Sequence, residues 1–161
     1  MRAALLFLAL VPQPVLAACQ PDDALFHCQI GKKTLQVCET SGTLTYIFGP
    51  AGKPELSLSV GIADADFTPW PGIGRTMWDE IAFHNDGVTY RVWASLEKQL
   101  DPDEPEPVLQ GGVQVSRGET DLASLVCNEG SVQSLLDTVW TLKTGIGQCY
   151  DREASRWQAC N

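Results

Sequence analysis

Six cysteines in a chain that begins with a secretory signal constrain the fold of this sequence more than any other feature. Arg2 precedes an apolar run, and small residues close the segment at Leu16-Ala17-Ala18-Cys19. The segment is too short, and too interrupted by prolines, to span a membrane as a mature helix, so residues 1–17 are predicted to be a signal peptide. Export to an oxidising compartment makes the six thiols candidates for disulfides.

Cleavage after Ala17 leaves residues 18–161, the size of one domain with its own core. The Leu-Ala-Ala-Cys sequence is also an acceptable lipoprotein processing site, so a membrane-anchored lipoprotein acylated at Cys19 is the alternative to a periplasmic or secreted protein. The even number of cysteines favours the unacylated form, because acylation of Cys19 would leave five thiols.

The mature chain is acidic: without Arg2 it has 10 basic and 20 acidic residues, a net charge of −10. No cluster of Lys and Arg is present to meet a phosphate backbone or an anionic membrane surface, so nucleic acid is excluded as a partner. No segment after the signal predicts a transmembrane helix. No Cys-x-x-Cys pair or cofactor motif occurs, and the sequence predicts neither a cofactor nor a metal.

Disulfide pairing is argued locally, since six cysteines allow fifteen pairings. A hairpin turning at Gly31-Lys32-Lys33 is expected to place Cys28 opposite Cys38 and to join them. Cys149 and Cys160 enclose a short C-terminal segment and are paired next. Cys19 is then left with Cys127.

Turn signals separate successive short runs of strand-forming residues between about Phe26 and Cys127, a pattern typical of an antiparallel β domain. We predict a sandwich or open barrel of about eight strands. The predicted strands are Phe26–Ile30, Thr34–Glu39, Leu44–Phe48, Leu56–Val60, Met77–His84, Val88–Leu96, Val113–Ser116 and Leu122–Cys127.

Met77–Leu96 contains the strongest hairpin signal, with Asp86-Gly87 as a two-residue type I′ turn. This register pairs Phe83 with Tyr90 and Ile81 with Val92 on a core face. Apolar residues from Val132 to Trp140 recur at helical spacing, which predicts a C-terminal helix over residues 132–143. Ser131 is the predicted N-cap and Gly145 the predicted stop.

The opposite face of the hairpin carries the candidate binding residues Trp78, Glu80, Arg91 and Trp93. Exposed Trp and Arg anchor binding surfaces because they combine apolar area with a polar group. Two other interpretations remain open. In the first, Glu80 and Arg91 simply form a surface ion pair, which contributes little. In the second, both tryptophans are covered by other elements and belong to a core.

No catalytic motif of the serine hydrolase, zinc protease or P-loop type is present. His84 lies at the predicted end of a strand, next to the Asn85-Asp86 turn, and its side chain is expected to be exposed there. Asp64, Asp66 and Glu80 are the first candidates for a carboxylate-dependent hydrolase, whose side chains would have to converge in space.

Several short motifs resemble those of a group of small exported proteins of proteobacteria. They are the cysteine-bracketed segment Cys28–Cys38, Tyr46-Ile47-Phe48-Gly49, Glu55-Leu56-Ser57-Leu58, and the run from Ala82 to Val92. The resemblance implies export and a β fold but supplies no active site. The overall build is also similar to that of periplasmic lysozyme inhibitors, although no segment matches their inhibitory loop.

The sequence therefore predicts an exported, non-enzymatic binding domain. It would recognise a protein or envelope ligand, and a lysozyme-inhibitor-like role suits its negative charge. The alternatives are a periplasmic hydrolase and a structural envelope lipoprotein anchored at Cys19.

Overall fold

The computed structural model describes residues 19–160, so the predicted signal peptide, residues 1–17, lies outside the described residues. Twelve strands and one α-helix follow one another, with short 3-10 helices at Pro21–Asp23 and Ile62–Asp64. The elements are β1 (Ala24–Ile30), β2 (Lys33–Thr40), β3 (Thr43–Gly49), β4 (Leu56–Gly61), β5 (Asp66–Thr68), β6 (Thr76–Asn85), β7 (Val88–Glu97), β8 (Gln110–Arg117), β9 (Thr120–Val126), β10 (Gln133–Ser134), α1 (Thr138–Gly145), β11 (Gln148–Asp151) and β12 (Arg156–Ala159).

Ten strands form two five-stranded antiparallel sheets arranged as a sandwich. The first sheet has the order β10-β1-β2-β3-β4 and the second the order β5-β6-β7-β8-β9, while β11 and β12 form a separate hairpin. The predicted mainly β fold with one C-terminal helix is confirmed, and all eight predicted strands are present. The strands that the sequence pattern missed, β5, β10, β11 and β12, are two to four residues long, too short for alternation to reveal.

The core lies between the inner faces of the two sheets. Tyr46 of β3 packs against Phe83 of β6 with ring centroids 5.6 Å apart, so aromatic side chains join the sheets at the centre. Burying each large apolar side chain contributes about 1.5–3 kcal/mol. The largest fully buried apolar side chains include Phe26, Leu35, Val37, Leu44, Phe67, Ile81, Val92, Val113 and Leu136.

The hairpin of β6 and β7 has the predicted register. Phe83 lies opposite Tyr90 and Ile81 opposite Val92. Asp86 and Gly87 have φ of 49° and 75°, the two positive values that a type I′ turn requires. The hairpin therefore presents one face to the core and the other outward, as the alternation indicated.

Two adjacent glycines let this hairpin and its neighbours approach closely. A Cβ on Gly111 would lie 3.0 Å from the Phe26 ring of the first sheet. A Cβ on Gly112, whose position faces outward, would collide with the carbonyl oxygen of Leu125 and lie 3.1 Å from the indole nitrogen of Trp93. Trp93 thus packs over a backbone position that only glycine leaves open.

Three disulfides connect the described residues, and only Cys149–Cys160 has the predicted pairing. The predicted Cys28–Cys38 and Cys19–Cys127 bonds are wrong, because the bonds are Cys19–Cys38 and Cys28–Cys127. The β1–β2 turn is the two residues after Ile30, since Ile30 pairs with Lys33, and this register places Cys28 opposite Leu35. Cys28 is fully buried on the inner face and therefore bonds to the other sheet at the end of β9.

The predicted helix over residues 132–143 begins too early and ends slightly too soon: α1 spans Thr138–Gly145, with the predicted Gly145 as its last residue. Gln133 and Ser134 instead form β10, which pairs with β1. The predicted N-cap is also wrong. The Ser131 hydroxyl accepts a hydrogen bond from the backbone N–H of Gln29 at 3.1 Å and so secures the segment to β1.

Candidate ligand-binding groove

A groove of about 620 Å³ opens at the end of the second sheet where β6 begins and β7 ends. Both strands are ten residues long, against six to eight residues for β1–β4. No residue of β1–β4 lines the groove. Its walls come mainly from β6, β7, α1, the loop after β5 and the β11–β12 turn. The helix and the C-terminal hairpin cover this end of the second sheet together with Ser134 of β10, and they leave a space of the size of small-ligand sites.

Asp79 lies on this part of the inner face of β6. It pairs with Ala94 and has the same alternation as Ile81 and Phe83, so its carboxylate stands on the apolar side of the sheet. The backbone N–H of Trp70 donates a hydrogen bond to its Oδ1 at 3.3 Å. A carboxylate at such a position costs stability unless something compensates its charge.

The environment of Asp79 favours its neutral form. Burial raises its pKa from 3.8 to about 6, the hydrogen bond from Trp70 lowers it, and the charge of Asp137 raises it. A carboxyl group with a pKa displaced in this direction, in a groove, is typical of functional sites.

Trp70 belongs to one wall of the groove and is held from two sides. Its indole Nε1–H donates to the carbonyl oxygen of Ile73 at 3.0 Å, which closes the loop on itself. The ammonium of Lys98 lies 4.1 Å from the ring centroid, a cation–π contact. These contacts fix the tryptophan before any ligand arrives.

Trp140 of α1 also lines the groove, as part of its helical wall, and is 36% exposed. Its ring packs edge-on against Trp157 of β12, with centroids 5.1 Å apart, and Trp157 also contacts Tyr150 of β11 at 5.3 Å. The Trp157 Nε1–H donates to the carbonyl oxygen of Phe67 at 2.7 Å. An aromatic cluster therefore joins helix, C-terminal hairpin and β5 behind this wall.

A buried lysine secures the helix. Lys143 is fully buried, and its ammonium donates to the carbonyl oxygens of Ile62 at 2.8 Å and Ala63 at 3.3 Å. The same ammonium lies 5.3 Å from the Trp157 ring centroid. Burial lowers the pKa of Lys143, while the charges of Asp64 and Asp66 oppose that change. The lysine links α1 to the 3-10 helix Ile62–Asp64, which precedes β5, and so sets the position of the Trp140 wall.

The charged residues of the groove are not neutralised by one another. Its lining contains Asp79, Asp137 and Arg152. Within residues 19–160, none of the three forms an ion pair within 4.0 Å. The lining therefore has two carboxylates against one guanidinium.

The four residues of the predicted binding face lie on the outer side of the hairpin, where they differ in exposure and in their contacts. Trp78 and Trp93 are both half-buried, and Trp93 packs over Gly112. Arg91 Nη1 lies 3.4 Å from Glu80 Oε2, the diagonal ion pair that was one of the expected alternatives. Trp78 also borders the groove, so it is the one member of this set next to the new site.

The suspected hydrolase residues do not meet in the groove. Asp64 is exposed in the 3-10 helix Ile62–Asp64, and Asp66 is exposed on β5. His84 is exposed at the end of β6, where its Nε2 lies 3.1 Å from Asp66 Oδ2. The carboxylates that do lie together in a cavity are Asp79 and Asp137.

Comparison with protein-family models, with curated proteins and with solved structures found no match for this chain. In residues 19–160, none of the helices has the length and hydropathy needed to cross a membrane. The same residues contain no group of three or more His, Cys, Asp or Glu side chains suited to hold a metal ion.

One sequence signal for the groove existed and was missed. Asp79 is two residues before Ile81, so the register that placed Ile81 in the core also placed Asp79 on the core face. The sequence could not indicate that α1 and the β11–β12 turn would leave this end of the sheet open. That arrangement depends on contacts such as Lys143 with Ile62, which are 81 residues apart.

Proposed function

We propose that this chain is an exported, non-enzymatic binding domain that receives part of a cationic protein partner in its groove. The observation that carries the proposal is Asp79, a carboxylate on the apolar face of a sheet that forms no ion pair within 4.0 Å in residues 19–160. Proteins place such groups where function requires them, because the alternative of an apolar residue would be more stable.

The charge and rigidity of the molecule support this proposal. The chain has a net charge of −9, which attracts a cationic partner and accelerates encounter. Trp70 and Trp140 are fixed by the contacts described above, so little conformational entropy is lost when a ligand arrives. Tryptophan is also among the residue types that dominate binding energy in protein interfaces.

Export to the periplasm or the exterior is part of the proposal. Three disulfides are compatible with an oxidising compartment. The Cys19–Cys38 bond uses the sulfur atom that a lipid anchor would need, so it favours the unacylated form over a lipoprotein. Recovery of the mature protein in the soluble fraction supports this form, and recovery with membranes supports the lipoprotein.

A lysozyme-inhibitor-like role is the concrete form of the function, given the acidic charge and the small disulfide-linked β fold. The test is calorimetric titration of a cationic lysozyme, together with its lytic activity on a cell-wall suspension. Thr141 lines the groove, whereas Thr144, which is also exposed and lies on the same helix, does not. Thr141→Arg adds a bulky cation at the groove, and Thr144→Arg adds the same charge outside it.

We expect Thr141→Arg to lose at least tenfold in affinity and Thr144→Arg to retain the wild-type affinity. Equal losses in both variants would mean that only overall charge matters. Equal affinity of Thr141→Arg and wild type would remove the groove as the binding site. Absence of wild-type binding would remove the lysozyme-inhibitor-like form of the function.

A carboxylate-dependent hydrolase is the second candidate, and one observation favours it. Asp79 and Asp137 line the same groove, and the pKa of Asp79 near 6 suits a general acid. Release of reducing ends from cell-wall oligosaccharides at pH 5.5, abolished by Asp79→Asn and by Asp137→Asn, would establish this activity. No release by the wild-type protein would leave the binding function.

A further inference from the structure

One oxygen of the Asp79 carboxylate accepts no hydrogen bond from the described residues and can still accept one from a ligand in the groove. Its Oδ1 accepts the hydrogen bond from Trp70, whereas its Oδ2 has no hydrogen-bond partner within residues 19–160. Oδ2 is not among the fully buried unpaired atoms of the described residues, and Asp79 lines the groove. An ionised carboxylate with a free, accessible oxygen in partly apolar surroundings binds a charged donor more strongly than a neutral one.

The tryptophans of the two walls suit the same kind of donor. Trp70 already carries the Lys98 ammonium 4.1 Å from its ring centroid, and Trp140 lines the same groove with 36% of its surface exposed. Aromatic faces attract ammonium and guanidinium groups, most strongly where water is excluded. Arginine combines this stacking with hydrogen bonds to a carboxylate, because its guanidinium is planar and carries several donors.

The charges of the groove lining, two carboxylates and one guanidinium, favour an occupant with a single cation. Arg152 lines the groove without an ion pair in the described part of the chain, so it would repel a second basic side chain. The volume of about 620 Å³ exceeds that of a single side chain and leaves room for the flanking backbone of a short segment.

We propose that the groove binds a segment of the protein partner with one arginine side chain directed between Trp70 and Trp140 toward the Asp79 carboxylate. This inference rests on the proposed function and adds the chemistry of recognition to it. An uncharged oligosaccharide would also stack on tryptophan but would leave the charge of Asp79 uncompensated.

The test compares two end-blocked peptides, acetyl-Gly-Ser-Arg-Ser-Gly-amide and its citrulline counterpart, which keeps the shape of arginine without the charge. NMR titration of the ¹⁵N-labelled protein at pH 7.5 gives the dissociation constants. We expect the arginine peptide to bind at least tenfold more tightly than the citrulline peptide, with shifts at the Trp70 and Trp140 indoles. Equal affinity for the two peptides, or binding of neither, would overturn the proposal.

Asp79→Asn tests the carboxylate itself, and Asp86→Asn is its matched control because Asp86 lies in the exposed β6–β7 turn. We expect Asp79→Asn to lose at least tenfold in affinity for the arginine peptide and Asp86→Asn to lose nothing. Equal binding by Asp79→Asn would overturn the proposal, as would saturable binding of a chito-oligosaccharide at the same indoles without arginine binding.

If the arginine peptide binds and lysozyme does not, the arginine site stands and the lysozyme-inhibitor-like role fails. If lysozyme binds Asp79→Asn as well as wild type, the arginine site fails while the binding function stands.

Discussion

The backbone N–H of Trp70 donates a hydrogen bond to the carboxylate of Asp79, and this one contact joins the loop wall of the groove to its floor. Trp70 follows β5, whereas Asp79 lies on β6, so the bond spans the connection between two adjacent strands. A change of charge at Asp79 is therefore expected to affect both the electrostatics of the groove and the position of its aromatic wall.

Replacement of Asp79 by Asn is expected to stabilise the protein above pH 6. A raised carboxyl pKa means that the folded state disfavours the ionised form, so ionisation reduces stability as the pH rises from 3.8 to about 6. Asn cannot ionise, and we expect a gain of about 1–2 kcal/mol at pH 8 after allowance for solvent screening. Urea unfolding of both proteins at several pH values measures the difference.

The gain is expected to shrink as the pH falls from about 6 and to approach zero below about pH 3, where Asp79 is protonated in the folded and the unfolded states alike. Asp86→Asn, on the exposed turn, serves as the control and should show no such pH dependence. A destabilised Asp79→Asn at pH 8 would mean that Asp79 is a structural carboxylate rather than an uncompensated one.

Replacement of Lys143 by Met is expected to destabilise the protein by about 2–4 kcal/mol, because the carbonyl oxygens of Ile62 and Ala63 lose their ammonium donor. Chemical denaturation measures the change. Lys53→Met is the matched control, since Lys53 is exposed and the same substitution there should stay within about 0.5 kcal/mol. A loss at Lys143 no greater than at Lys53 would show that the lysine does not anchor α1.

Replacement of Gly112 by Ala is expected to cost about 2–4 kcal/mol, since the new methyl group would meet the Leu125 carbonyl oxygen and the Trp93 ring. Gly145→Ala is the control: it has open space around it at the end of α1 and should be neutral or slightly stabilising. Thermal unfolding of the two variants measures their melting temperatures. Similar melting temperatures would contradict the close packing of Trp93 on β8.

Disulfide mapping is expected to find Cys19 joined to Cys38 and Cys28 joined to Cys127. Trypsin alone leaves Cys19 and Cys28 on one peptide, so a second cleavage before Asp22 or Asp23 is needed to separate them. Mass spectrometry without reductant should then show the fragment that contains Cys19 bonded to the fragment that contains Cys38. A free Cys38 together with an acylated Cys19 would instead indicate a lipoprotein.

Binding of the arginine peptide is expected to weaken as the pH falls through about 6, because protonation removes the charge of Asp79. The other charged groups that line the groove in the described part of the chain are Asp137, immediately before α1, and Arg152 on the β11–β12 turn. The end-blocked peptide has no group that titrates in this range. Affinity should fall by at most tenfold per pH unit, the limit for uptake of one proton. If the affinity does not change between pH 5 and pH 8, Asp79 is excluded as the group that binds arginine.

The β6–β7 hairpin was predictable because its alternation and its Asp86-Gly87 turn specify the same register. Local patterns of this kind were sufficient to predict the mainly β fold. They failed at Cys28, where the length of a turn decided which residue Cys28 faces. The start of α1 was missed for a related reason: the backbone of β10 pairs with a strand more than a hundred residues earlier, and this pairing replaces the first helical turn.

The candidate site was less predictable than the fold. Asp79 could have been placed on the core face from the register, yet its pKa depends on Asp137 and on burial by elements distant in sequence. Trp140 was expected in the helical stripe; it packs against Tyr150 and Trp157 of the C-terminal hairpin but remains 36% exposed at the groove.

The proposed function requires that the partner binds in the groove. NMR titration of the ¹⁵N-labelled protein with unlabelled cationic lysozyme tests this requirement most directly, because each of the five tryptophans has its own indole N–H resonance. The five report on three places: Trp70 and Trp140 on the groove, Trp78 and Trp93 on the outer hairpin face, and Trp157 on the cluster behind α1. We predict saturable shifts at Trp70 and Trp140, smaller ones at Trp78, and none at Trp93. Shifts confined to Trp78 and Trp93, or the absence of any shift, would contradict binding in the groove.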